Sequence, residues 1–186
     1  LYDQGVRIFI GPIFDKNTKN LGKFDDAIFI TFSNKDKNSQ KNLIYAGVNA
    51  TSQIATIKKF LEDNDIKKTI CLIPESDFKE EIKKAISQTK INLKKVFYYK
   101  TEPTEITKRI EKITRYEVRK QNLLDEIKRI ENSDDPNKEK KIKNLEKKDT
   151  IGKLGFDSVI ISDFDESLKS VITSLIYTDV STKRVH

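Results

Sequence analysis

Residues 69–86 read TICLIPESDFKEEIKKAI, and the change of period inside this stretch decides the fold. Thr69 to Ile73 are apolar or β-branched at every position, and Pro74 stops the run. That is the pattern of a strand covered on both faces. Ser76 then stands as a helix N-cap, with Asp77, Glu80 and Glu81 in the first turn, where carboxylates complement the positive end of the helix dipole. Phe78, Ile82, Ala85 and Ile86 fall on one face at helical spacing. A buried strand, a short turn and an amphipathic helix make up most of a βαβ unit.

The same alternation extends in both directions. Val6 to Ile10, closed by Gly11-Pro12, and Ala27 to Phe32 are apolar at nearly every position and predict strands covered on both faces. Ser33 to Asn42 is a polar loop, and Leu43 to Val48 a third short strand. Thr51 and Ser52 are N-caps for a helix carrying Ile54, Ile57, Phe60 and Leu61. On the other side, Val96 to Tyr99 predicts a fifth strand, and Phe156 with Val159 to Ile161 a sixth. Asp163 or Asp165 then caps a closing helix with Leu168, Val171, Ile172 and Leu175 at helical spacing. Strands alternating with helices imply right-handed crossovers and parallel sheets, hence an α/β chain.

One crossover is too long for a plain connection. From Thr104, the residues Ile106, Ile110, Ile113, Leu123, Leu124, Ile127 and Ile130 keep helical spacing for about seven turns. Asn132 to Asp135 break the helix, Pro136 suits the first position of a second one, and that helix carries Ile142 and Leu145. Residues 104–150 therefore read as a helical hairpin inserted into an α/β lobe. Its narrow apolar stripe and dense Lys and Glu fit either a solvated pair packed on itself or a partner-docking arm.

Composition removes several classes. The chain has 186 residues, 36% apolar and 35% charged, with a single Cys. A disulfide framework needs paired cysteines, and a membrane-spanning helix needs about 20 unbroken apolar residues; neither is present in the sequence. The formal charge of +7 comes from 30 Lys and only 6 Arg, interleaved with 29 Asp and Glu. Paired recognition of phosphates and base edges favours Arg, so this charge is read as a solvated surface, with no nucleic-acid partner.

Chemistry is sparse. His186 is the only histidine, so no Ser-His or Cys-His nucleophile pair can be assembled, and no catalytic residue is assigned. Cys71 sits between Ile70 and Leu72, the setting of a small core hydrophobe. Asp163, Asp165 and Glu166 form the densest acidic cluster, but helix starts recruit such residues as caps; no metal or cofactor is predicted. Ligands of open parallel sheets collect beyond the carboxyl ends of strands. Asp15, Ser33, Asn34, Asp77 and Asp163 lie just past such ends, where short polar groups can hold a small polar ligand, although each is also an ordinary cap or turn residue.

The order of these elements resembles a known family. Ile8-Phe9-Ile10-Gly11-Pro12-Ile13-Phe14, Ile28 to Asn34, the helix containing Gln53 and Ile70 to Pro74 resemble the type I periplasmic binding fold of leucine-binding-like proteins. Tyr116 to Leu124, Leu145 to Thr150 and Phe156 to Ile161 are similar to the bacterial penicillin-binding protein activators, the LpoA and LppC group. The resemblance implies a partial fold: residues 1–49 as part of lobe one, residues 50–186 as lobe two with the hairpin, and a ligand cleft between lobes. It implies a non-enzymatic envelope protein in the periplasm, or an outer-membrane lipoprotein held by an upstream lipid anchor.

Its partner would be a class A penicillin-binding protein, with Arg119 and Lys120 on the docking arm. Two other roles use the same fold: the substrate-binding receptor of a branched-chain amino-acid type ABC transporter, and the effector-binding domain of a lac-repressor-like regulator. By the resemblance, Ser33 takes a first-lobe ligand position and Phe78 stands near an aromatic one. Asp77-Phe78 replaces the Tyr-Gly of the amino-acid receptors.

Overall fold

In a computed structural model, residues 1–13, 17–33, 40–181 and 185–186 are described. They fall into two compact units, Leu1–Phe60 with Lys83–Ile91, and Leu61–Ile82 with Asn92–His186.

The first unit is built on strands β1 (Ile8–Ile10), β2 (Ile28–Thr31) and β3 (Leu43–Tyr45), ordered β1-β2-β3 and parallel throughout. Register pairs Phe9 with Phe29 and Phe29 with Leu43, placing these side chains on one face. That face buries Ala27, Phe29 and Leu43 against Tyr2, Leu21 and Phe24, and the rings of Phe9 and Phe29 stack at 4.9 Å. The alternate residues Ile8, Ile10, Ile28 and Ile44 occupy the opposite face and stay exposed, Ile10 at 76%. The sequence predicts strands covered on both faces; among the described residues only the aromatic face of this sheet is well covered. Continuous apolar runs do not distinguish the two cases, because an uncovered Ile and a covered one read alike.

Helix α1 (Ala50–Asp63) is entered through a reciprocal cap. Asn49 Oδ1 accepts from the Ser52 N–H at 2.8 Å, and Ser52 Oγ accepts from the Asn49 N–H at 3.2 Å. The cap is thus Asn49, two and three residues before the Thr51 and Ser52 predicted for it. Thr51 Oγ1 donates to Gln88 at 3.0 Å and Lys58 Nζ to the Thr89 carbonyl at 3.1 Å, tying α1 to the end of helix α2 (Lys79–Thr89).

The second unit centres on β4 (Thr69–Pro74), buried at every position, flanked in parallel by β5 (Lys95–Tyr99) and β6 (Ser158–Ile161) in the order β5-β4-β6. Helices α3 (Pro103–Thr114) and α6 (Asp165–Tyr177) pack together. Ile106, Ile110, Val171 and Leu175 from these helices join Ile70, Leu72 and Phe156 in one core. Each such side chain contributes about 1.5–3 kcal/mol on burial.

The predicted seven-turn helix is divided. Arg115 adopts φ 55°, ending α3, and α4 (Tyr116–Glu131) begins at the next residue. The projecting pair is α4 with α5 (Lys138–Leu145), joined by a turn in which Asp135 accepts the Asn137 N–H at 2.8 Å and pairs with Lys141. The residues from Thr104 to Thr114 belong instead to the sheet-covering layer, since Ile106 and Ile110 are fully buried. The predicted insertion is narrower than 104–150 at its start.

Gly47 follows β3 where its backbone meets that of the residues after β2. A Cβ there would lie 2.3 Å from the Ser33 carbonyl oxygen and 2.5 Å from that of Phe32. Gly47→Ala is therefore expected to destabilise the first unit by about 3 kcal/mol, read as a lowered denaturation midpoint. An unchanged midpoint would contradict the close approach.

Candidate functional site

The carboxyl ends of β4, β5 and β6 gather polar and aromatic side chains. After Pro74 the Glu75 N–H donates to the Tyr99 carbonyl at 2.8 Å, and the chain turns into α2 through Ser76 to Phe78. The predicted cap role of Ser76 is not what the structure shows. The helix starts at Lys79, the Ser76 carbonyl takes the Lys79 N–H at 3.1 Å, and the buried Ser76 Oγ has no hydrogen-bond partner among the described residues. A buried hydroxyl left unsatisfied costs about 1–3 kcal/mol, which a ligand or water atom accepting or donating there would offset.

Asp163 is the hub of the opposite loop. Tyr99, buried at the end of β5, donates its hydroxyl to Asp163 Oδ2 at 2.5 Å. Ser167 donates to the same oxygen, and the Phe164 N–H donates to Oδ1 at 2.8 Å. Burial, then the hydrogen bond to Asp163, pushes the Tyr99 phenol well above its ordinary pKa, so it remains a donor at physiological pH. An ionised carboxylate offers about four lone-pair positions, and these three donors leave one on Oδ1 for an outside donor. The N-cap of α6 is Phe164, with no side-chain cap bond, so neither Asp163 nor Asp165 is the predicted cap; Asp163 instead restrains the start of α6 through the Phe164 N–H and Ser167.

The two loops meet through their aromatic residues. The rings of Phe78 and Phe164 lie 5.2 Å apart at 39°, within the favourable range for tilted rings. Phe78 is half-buried, while Phe164 is 57% exposed. Asp77, next to Phe78, is exposed. Ser33 belongs to the first unit, where it is buried and its N–H donates to Thr31 Oγ1 at 3.2 Å. Asp15 and Asn34 lie outside the described residues.

The sequence did not single out Tyr99, Phe164 or Ser167. Tyr99 reads as one more apolar strand residue; its place at a strand's carboxyl end was the available signal. Ser167 sits four residues after Asp163, one helical turn on, and that spacing could have marked the pair.

Arg119 and Lys120 separate in the structure. Lys120 is exposed on α4. Arg119, expected on an exposed arm, is 3% exposed. Its Nη1 donates to the Thr178 carbonyl at 3.0 Å, and its Nη2 to Thr150 Oγ1 at 2.6 Å and Asp179 Oδ2 at 3.3 Å. The physical reason is helical phase: Tyr116, Arg119, Leu123 and Ile130 share the inward face of α4.

Cys71 is fully buried, 3.9 Å from Ser162 Oγ, and burial pushes its thiol up to about 11. Among the described residues no group of three or more His, Cys, Asp or Glu could hold a metal ion, and no helix is long and apolar enough to cross a membrane.

No protein-family model matches the chain, and no curated protein does. Solved structures similar in fold include full-length LpoA from Haemophilus influenzae, at 12% identity and TM-score 0.44, covering 61% of this chain and 27% of that one. An extracellular ligand-binding receptor from Verminephrobacter eiseniae aligns at 12% identity and TM-score 0.46, over 93% of this chain and 42% of that one. A periplasmic binding protein from Burkholderia mallei aligns at 5% identity and TM-score 0.45, over 98% and 41%. The chain spans less than half the length of each. Among the described residues the chain itself is α/β, with two three-stranded parallel sheets.

Two outcomes follow from this geometry. Arg119→Ala should cost about 3–5 kcal/mol because it takes the buried donor away from the Thr178 carbonyl and the Thr150 hydroxyl and the cation away from Asp179, whereas Lys120→Ala should stay within about 0.5 kcal/mol, both read by chemical denaturation. Equal effects would refute the buried pairing. Cys71 should resist alkylation at pH 8 in the native chain and react on unfolding, since little thiolate forms below a pKa of about 11. Rapid native labelling would show the thiol to be accessible.

Proposed function

We propose that this chain is part of a non-enzymatic binding and regulatory protein of the cell envelope, of the type I periplasmic binding kind. A small polar ligand carrying an amino or hydroxyl donor would be held at the carboxyl ends of β4, β5 and β6. The observation that carries this reading is the Tyr99–Asp163–Ser167 cluster, which fixes a carboxylate with acceptor capacity beside the Phe78 and Phe164 rings. An apolar wall with a few fixed polar groups is the usual composition of a small-ligand site. Nucleophilic chemistry has little support: the thiol is buried with a raised pKa, and His186 is the sole histidine.

The regulatory use we favour is that of the penicillin-binding protein activators, in which the α4–α5 pair would dock a class A synthase in the periplasm. It is supported by the exposed apolar side chains of α4: Leu124 one turn from Lys120, and Val118 on another part of the helix surface, beside Arg115 and Lys112. Arg119 no longer belongs to that docking face. Use as a transporter's amino-acid receptor would place the amino acid's ammonium at Asp163.

A thermal-shift panel of amino acids and amino sugars tests the site. A ligand at a hundredfold excess over its Kd stabilises by about 2.7 kcal/mol. For a domain of this size that raises Tm by about 5–10 °C. Phe164→Ala should abolish the shift while leaving the unliganded Tm nearly unchanged, because the ring is mostly exposed. An absence of any shift, or a shift indifferent to Phe164, would defeat the site. For the docking arm, Val118→Glu with Leu124→Glu should weaken synthase binding in a pull-down, and unaltered capture would defeat that use.

A further inference from the structure

The edge of the second sheet carries a separate feature. Because the Tyr99 carbonyl bonds to the Glu75 N–H just past β4, strand alternation turns the Tyr98 carbonyl toward the open side of β5. Arg109 of α3 reaches that carbonyl, donating from Nε at 3.1 Å, and its guanidinium lies 5.6 Å from the Phe97 ring. Beside it opens a cleft of about 360 Å³ lined by Lys100, Lys108, Arg109 and Lys112, with Glu75 and Glu105 as its carboxylates.

The charges in this cleft do not cancel. Lys108 pairs with Glu105 at 3.4 Å on the same helix. Lys100 and Lys112 make no ion pair or hydrogen bond among the described residues, and Arg109 uses Nε on the strand edge while both terminal nitrogens stay unengaged. Two ammonium groups and one guanidinium fork therefore face a single unpaired carboxylate, Glu75. A surplus of positive charge thus surrounds this concavity. A planar fork anchored by its Nε and flanked by two flexible ammonium groups matches the oxygens of a tetrahedral dianion.

We infer that this cleft binds a phosphomonoester, with the Arg109 terminal nitrogens and Lys112 on the phosphate oxygens and Lys100 at the cleft mouth. A phosphomonoester carries about −1.5 to −2 charge at pH 7, which balances the surplus. The volume accommodates the phosphate with a small organic body. The site uses neither Asp163 nor the Phe78–Phe164 pair, so it goes beyond the ligand reading above and stands or falls separately from it. Arg109 takes a second role in addition to covering the strand edge.

Titration calorimetry on the full chain tests this with inorganic phosphate and glycerol phosphate, against chloride at equal ionic strength. A third arm measures cosedimentation with phosphatidylcholine vesicles with and without phosphatidic acid. The variants are Lys100→Ala with Lys112→Ala, and a control pair, Lys143→Ala with Lys147→Ala, which removes the same charge from the region of α5. Saturable binding of a soluble phosphate, or capture by phosphatidic acid, that falls at least about tenfold in the first pair and not in the control supports the site and identifies the carrier of the phosphate. Binding that does not saturate, that chloride reproduces, or that both pairs weaken equally overturns it.

Discussion

A single buried guanidinium holds the second unit's long crossover in place. Arg119 projects from the first turn of α4 into a junction between Thr150, before β6, and Thr178 and Asp179, just past α6. Thr150 relays the arrangement by accepting from Arg119 and donating to Asp179 at 2.6 Å. Desolvating a charge without partners would cost several kcal/mol, so the three segments must converge for the arginine to be buried at all. The polar junction thus selects one arrangement of the hairpin root, a specificity that apolar packing alone would impose less sharply.

With the crossover fixed, α3 and α6 lie side by side over the sheet, bridged by Thr107 and Ser174 at 3.0 Å. The strand ends then present their loops in one direction, as parallel connections require. Asp163 is positioned from three directions: a strand residue, its own backbone neighbour and the first turn of α6. A carboxylate restrained this way loses little further entropy when a ligand arrives, which is what preorganisation means for a binding group. The Phe78–Phe164 contact adds a wall spanning two loops that are far apart in sequence.

Much of this was legible in the residues and some was not. The six strands stand where apolar runs predict them, and β4 is the clearest because Pro74 terminates an unbroken run. The division at Arg115 was hidden because the isoleucine and leucine stripe continues in phase through a residue that is neither Gly nor Pro. Arg119 was misread for a related reason: in a helix dense with Lys and Glu, one inward cation has no local signature, and its shortest hydrogen bonds go to acceptors 31 and 59 residues away. The position of Asp163 after a strand was readable, but its partner Tyr99 was hidden among apolar strand residues, and pairing across strands is invisible to a linear reading. The charge surplus beside β5 was diluted in the same way by the overall balance of Lys and Glu.

The isoleucine layer of the first sheet shapes how the molecule comes apart. The isoleucine face of β1, β2 and β3 is only partly removed from water and gains correspondingly less from desolvation, while β4 is buried at every position. Cooperative opening free energies follow such differences in buried area. Heating should therefore loosen the aromatic-faced sheet while the β5-β4-β6 nucleus persists, leaving a half-molten species whose surviving half still carries both the Asp163 loop and the basic edge.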